Sequence, residues 1–344
     1  MAHLVETMAY ANEVPWHGLG KPVHPNMTPL EMMDAAGLNW TVSKRPAYFP
    51  DKANCWNLND PRSEAGLVHA TENFFLVRDS DNKMLSPCGT GYQPFQNEEV
   101  MGFFKKFTEA GHMQMETAGS LKGGREVWGL AKIKEGFTLA GGDPVTGYLL
   151  LNNSHVVGKA MTVMFTPIRV VCNNTLTMAL DSNGHRFRVM HLQMFSEEIM
   201  QAAEEALGIS HNYMARFQEQ AEFLASKRYD ILQVDNFIAE LYQPKTLLER
   251  GKASTLAAND LPPLRDEFKR TALAVADALE TSPGAELRTA KGTWWGALNA
   301  VTYVTDHQTR GTEEGNSLHS AWFGGGATVK RRALEKALEY AQAA

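Results

Sequence analysis

Apolar and polar positions follow one rhythm in the first part of this chain and another after about Met194. In the first part, short runs with a two-residue repeat predict strands. Residues 74–77 form one run, and residues 79–83 read as a hairpin turn into 84–87. Further strands are predicted over 113–120, 125–134, 145–152, 159–171 and 185–192. Lys122-Gly123-Gly124 is a natural turn between the first two of these. Helices are fewer here. Thr28-Pro29-Leu30-Glu31 is a complete helix start, with a capping threonine, proline at the first helical position and glutamate three residues after the cap; Gly37 should end that helix. Asn97-Glu98-Glu99 caps a helix carrying Val100, Phe103, Phe104 and Phe107 on one face and closed by Gly111. A short helix is predicted over 173–180. The rest of the first forty residues is loop-rich.

After Ser196 the repeat lengthens. Ile199, Ala203, Ala206, Ser210, Tyr213, Phe217, Ala221 and Leu224 recur every three or four residues. That is the apolar stripe of a helix of about 30 residues, about 45 Å long unless Gly208 interrupts it. Helical patterns return over 234–242, 264–279, 293–305 and 329–341, separated by linkers at 252–263 and 281–284. Strands gathered in one part and helices in another predict an α+β fold: a mixed sheet core over residues 1–192, then a mainly helical region over 193–344.

Composition adds limits. The chain has 344 residues, 44% hydrophobic and 21% charged, which is globular and large enough to bury a core without covalent staples. Cys55, Cys88 and Cys172 are widely separated, which suits a reducing compartment. The first twelve residues show no apolar signal core, and no stretch reaches the roughly 20 apolar residues needed to span a bilayer. A cytoplasmic protein without membrane contact is expected. The formal charge of −6 argues against polyanion binding by the whole surface but leaves room for a local basic groove.

Enzyme signatures are missing. There is no C-x-x-C, no H-E-x-x-H, no Walker A loop and no G-x-G-x-x-G at a strand–helix junction, so neither a metal nor a cofactor is expected. His17 and His24, and His185 and His191, read as turn and strand-surface histidines. Cys172, between a predicted strand and a predicted helix, could be a thiolate held at a helix start, with Arg169 and His155 nearby. The plainer reading is a small buried side chain, and Cys172 is expected to be structural.

Cations are more suggestive. The strands carry Lys122, Arg125, Lys132, Lys134, Lys159, Arg169, Arg186 and Arg188. Arg186 and Arg188 flank Phe187 and so point to one face of a strand. Trp128 and Tyr148 lie on neighbouring strands. Cations with aromatic neighbours on a sheet are what single-strand binders use, phosphates pairing with the cations and bases stacking; a solvated polar face over a core with aromatics would look similar. Lys330, Arg331 and Arg332 follow Gly324-Gly325-Gly326 at a helix start predicted near Thr328. Cations there oppose the helix dipole and suggest an anion site; the plainer reading is that they are solvated and slightly unfavourable, or that the helix starts elsewhere.

Several stretches resemble a phage and plasmid protein family, domain of unknown function 932. They are Pro15-Trp16-His17-Gly18-Leu19-Gly20, Gly91-Tyr92-Gln93-Pro94-Phe95-Gln96-Asn97, Ala118-Gly119-Ser120-Leu121 and Leu151-Asn152-Asn153-Ser154-His155. The sharpest runs from Thr166-Pro167-Ile168-Arg169 through Cys172 to Leu176. Trp295 to Ala300, Asp306-His307, Phe323-Gly324 and Lys330 complete the set. The resemblance implies a mobile-element setting, similar to that of phage annealing proteins, and grants no catalytic residue. The expected function is therefore a non-enzymatic, homo-oligomeric binder of single-stranded DNA. The alternatives are an enzyme using Cys172 or a histidine set, and an accessory protein that binds a host or phage protein.

Overall fold

The computed structural model describes residues 5–12, 15, 18–50, 67–109, 111–169, 174–175, 187–192, 194–199, 201, 210–242, 266–308 and 317–343. Cys172, Arg186, Trp16 and His17 lie outside them.

The fold is α+β, as the two rhythms predict. The predicted strands are present, several of them longer than their apolar runs: β4 (Leu67–Arg78), β5 (Lys83–Gly89), β6 (Met113–Leu121), β7 (Glu126–Leu139), β8 (Asp143–Ser154), β9 (Ala160–Arg169) and β11 (Phe187–Met190). Three strands were not foreseen. β1 (Val5–Tyr10) and the short β2 (Lys21–Pro22) fall in the stretch expected to be loop, and β3 (Val42–Pro50) carries two prolines, which argue against a strand from sequence. Val5–Tyr10 shows no clean alternation because β1 lies inside a sheet with both faces covered. The short helix expected from residue 173 is corrected at its described part: Asn174–Thr175 is a strand, β10, paired with β9.

The large sheet runs β10-β9-β8-β7-β6-β1-β2, with β11 also on β9; β3-β4-β5 form a second sheet. The Lys122-Gly123-Gly124 turn holds three successive left-handed residues. Glycine is required at the third, where a Cβ would lie 2.8 Å from the Arg78 guanidinium.

Helix α1 (Pro29–Ala35) has the predicted capping box: Thr28 N donates to Glu31 Oε2 at 2.8 Å and Glu31 N to Thr28 Oγ1 at 3.3 Å. The helix predicted from Asn97 divides into α2 (Asn97–Gly102) and α3 (Lys105–Glu109) and is capped one residue earlier, at Gln96. The helical region comprises α4 (Ser210–Ser226), α5 (Ile231–Tyr242), α6 (Asp266–Thr281), α7 (Trp294–Tyr303) running into a π-helical turn (Val304–Gln308), α8 (Ser317–Phe323) and α9 (Gly325–Ala343). Most of the long helix predicted before Ser210 lies outside the described residues. The helix start predicted near Thr328 falls three residues earlier, inside the glycine run. Gly325 and Gly326 belong to α9, and a Cβ at Gly326 would meet Ser320 O at 2.9 Å, so α9 starts tight against α8.

One apolar core joins both parts of the chain. Leu149, Leu151 and Val163 of the large sheet pack in the same cluster as Phe103 and Phe104 near α2 and as Phe217, Trp294 and Val301 of the later helices. A buried polar lock crosses the same junction. Arg169 Nε donates to Asp143 Oδ1 at 2.7 Å, and Asp143 Oδ2 accepts from Trp295 Nε1 at 3.0 Å and Thr289 Oγ1 at 3.1 Å. On the opposite face of the sheet, α8 covers Trp128, whose ring meets that of Trp322 edge-on at 6.0 Å. Gly119 makes this possible, because a Cβ there would lie 2.3 Å from the Trp128 ring. No described helix is long and apolar enough to cross a membrane.

Candidate functional site

The turns and register of the large sheet decide where the cations go. Lys122 and Arg125 occupy the β6–β7 turn; Arg125 is exposed and Lys122 half-buried. Lys159 ends the β8–β9 turn, its side chain half-exposed and paired with Glu126. Arg188 is exposed on β11, while the Phe187 side chain packs inward. Register brings these residues to one end of the sheet, since Glu126 faces Ser154, Trp128 faces Asn152, Asn152 faces Thr162, and Thr162 faces Arg188. Arg125, Lys159 and Arg188 thus lie toward one end across about three strand spacings, about 14 Å, with Arg188, level with Trp128, about 10 Å further along the strands than Arg125. Lys132 and Lys134 are exposed toward the other end of β7, beside a cleft of about 470 Å³ that Asn26 and Gln114 also line.

The remaining cations turn inward. Arg169 is spent on Asp143. Lys330 is fully buried, 2.6 Å from Asp306 Oδ1. Arg332 donates to Glu240 O at 2.7 Å, a carbonyl in the last turn of α5, where a cation suits the helix dipole. Arg331 is half-exposed, 3.8 Å from Glu335. The anion site expected at the start of α9 is therefore corrected: the helix begins at Gly325, and the three cations lie in its second turn with Lys330 and Arg332 already committed to protein partners.

Beneath the basic end lies a polar cluster that two of the quoted stretches build together. Asn153 Nδ2 donates to Phe95 O at 3.0 Å, His155 Nε2 meets Asn97 Oδ1 at 3.2 Å, and Tyr92 OH donates to Ser154 O at 3.2 Å. His191 stacks on Tyr92 at 4.9 Å, and its Nδ1 lies 3.2 Å from Gln93 O. Burial keeps both imidazoles neutral, pushing His155 down to about 3 and His191 to about 4. On the other side of the strand Glu126 is buried as well. Burial would raise its carboxyl, but His319 and Lys159 hold it at about 2. Asn152 Oδ1, Asn153 Oδ1, His155 Nδ1 and His191 Nε2 are buried without a hydrogen-bond partner.

The sequence named His155 and His191 but not their partners Asn97 and Gln93, nor the buried Glu126 that pairs with Lys159 and His319. The stretches Gly91–Asn97 and Leu151–His155 were the available signal, without any hint that they meet. The trio of Cys172, His155 and Arg169 is not assembled among the described residues: His155 follows the last residue of β8, whereas Arg169 pairs beside Val145 near its first, about 30 Å away along the strand. No three His, Cys, Asp or Glu side chains among the described residues gather to hold a metal.

The arrangement is that of an α+β protein with a cationic sheet end over a buried polar cluster. The family described as Domain of unknown function (DUF932) matches residues 84–333, and the chain belongs to it. No curated protein and no solved structure matches.

Proposed function

We propose that the protein is a non-enzymatic nucleic-acid-binding protein that holds single-stranded DNA along the basic end of its large sheet, in annealing or recombination within a mobile element. The observation that carries this reading is that exposed Arg125 and Arg188, with half-exposed Lys159, lie toward one end of the large sheet, a basic edge of the kind that can meet a single-strand backbone. Lys122 lies in the same turn as Arg125. Exposed Leu192 and Met194 follow Arg188 closely in the chain and supply apolar surface for a second copy.

Electrophoretic binding with labelled single strands and duplexes tests the reading. Arg125→Ala/Arg188→Ala should weaken single-strand binding for all sequences alike and flatten the salt dependence by about 0.7 units of slope per lost contact. Unchanged affinity and slope would refute it. Light scattering should report more than one copy per particle. An enzyme built on His155 and His191 is the second reading, favoured by their partnerless ring nitrogens; turnover of a nucleic-acid substrate that is lost in His191→Gln would favour it over the first.

A further inference from the structure

The orphaned atoms of the polar cluster share one character, and the hydrogen bonds around them fix it. Asn97 Nδ2 donates to Leu38 O at 2.9 Å and Trp40 O at 3.2 Å, so the Asn97 atom facing His155 is its oxygen. An oxygen there needs a donor. His155 therefore carries its proton on Nε2, and Nδ1 is a bare lone pair. Gln93 O likewise demands the proton on His191 Nδ1, which leaves Nε2 bare. Asn153 spends its Nδ2 on Phe95 O and leaves Oδ1. These three acceptors belong to residues that are 0 or 1% exposed, and none has a partner. Buried acceptors are normally met by a donor or an ion.

All three side chains engage the same loop. His155 and Asn153 bond to residues 97 and 95, and the His191 ring lies 4.3 Å from Phe95. We propose that His155 Nδ1 and His191 Nε2, with Asn153 Oδ1, hold a divalent transition-metal ion of the zinc class, its remaining positions filled by water or an exogenous oxygen ligand. The pattern is that of metal-binding histidines, which give the other ring N–H to a carbonyl or carboxylate that fixes tautomer and orientation. Neutral imidazole is the ligating form, and imidazole nitrogen selects zinc, cobalt or nickel over magnesium or calcium. The third ligand of the site is an amide oxygen, which places it outside sets made only of His, Cys and carboxylates.

The test uses the full chain, stripped with chelator and free of nucleic acid, titrated with zinc or cobalt chloride. One equivalent should bind, raise the melting temperature and, with cobalt, give visible absorption of a nitrogen-ligated ion. His155→Gln and His191→Gln should each weaken binding at least about tenfold, while His24→Gln, at an exposed site, should not. No uptake by the wild type at micromolar metal overturns the proposal and leaves ordered water as the occupant. So does undiminished uptake by the His155→Gln/His191→Gln variant. Should that variant not fold, the cobalt spectrum of the wild type decides, and absence of nitrogen ligation overturns the proposal. The experiment contains no DNA, so its result is independent of the nucleic-acid reading.

Discussion

The ammonium of Lys330 and the carboxylate of Asp306 meet at 2.6 Å with neither side chain reaching solvent. Burial pulls the lysine pKa down, and the aspartate opposes that pull. Removing one partner of such a pair leaves the other charge buried alone, which costs about 3–5 kcal/mol, whereas replacing both by apolar groups is far milder. Lys330→Met should therefore destabilise by roughly that amount in denaturant unfolding, and Lys330→Met/Asp306→Leu should recover most of the loss; equal losses in the two variants would show that the pair is not an isolated unit. From sequence, Lys330 is simply one of three adjacent cations. Its partner lies 24 residues away, and Arg169 finds Asp143 at 26 and shares it with Trp295, 152 residues from that aspartate. Which cations turn inward depends on such distant partners, and no local pattern records them.

Elements were more legible than contacts. β6 to β9 follow alternating apolar runs and a glycine turn, and α1 follows its capping box. β1 and β3 escaped because one is covered on both faces and the other is interrupted by prolines. At the end of β8, the strand, the 91–97 loop and the turn after β11 are pinned by two neutral histidines, which makes this junction sensitive to acid. Both imidazoles have folded pKa values below the ordinary 6.5. The unfolded chain therefore binds their protons first, and stability falls as pH drops below about 6.5 until the folded values near 4 and 3 are reached. Between pH 6.5 and 5 each should contribute a loss of roughly 2 kcal/mol. Urea unfolding of the chelator-treated protein at stepped pH would show it, and His191→Gln should shrink the slope; a flat profile over that interval would contradict the buried, neutral assignment.

At the scale of the molecule, the change of rhythm near residue 193 separates kinds of element but not cores. Sheet residues and helical residues pack in one cluster, and the Arg169–Asp143–Trp295 lock spans them. Calorimetry should accordingly show one cooperative transition, and the fragment of residues 1–192 should expose the apolar face that α4 and α7 cover and bind a hydrophobic dye. Two resolved transitions, or a fragment that melts cooperatively by itself, would argue for independent units.

The place of β1 in the large sheet also has a consequence for the ribosome. β1 pairs with β6 antiparallel, and the Thr7–Ser120 contact closes a separation of 113 residues. At about 5–20 residues per second, this early strand waits roughly 6–20 s before its antiparallel neighbour has even been made, and longer before that neighbour clears the exit tunnel. During that interval Met8 and Tyr10, later buried against Trp128 and Trp322, are open to whatever chaperone or neighbouring nascent chain is at hand, so codon choice before residue 121 should influence the yield of native protein more than codon choice after it.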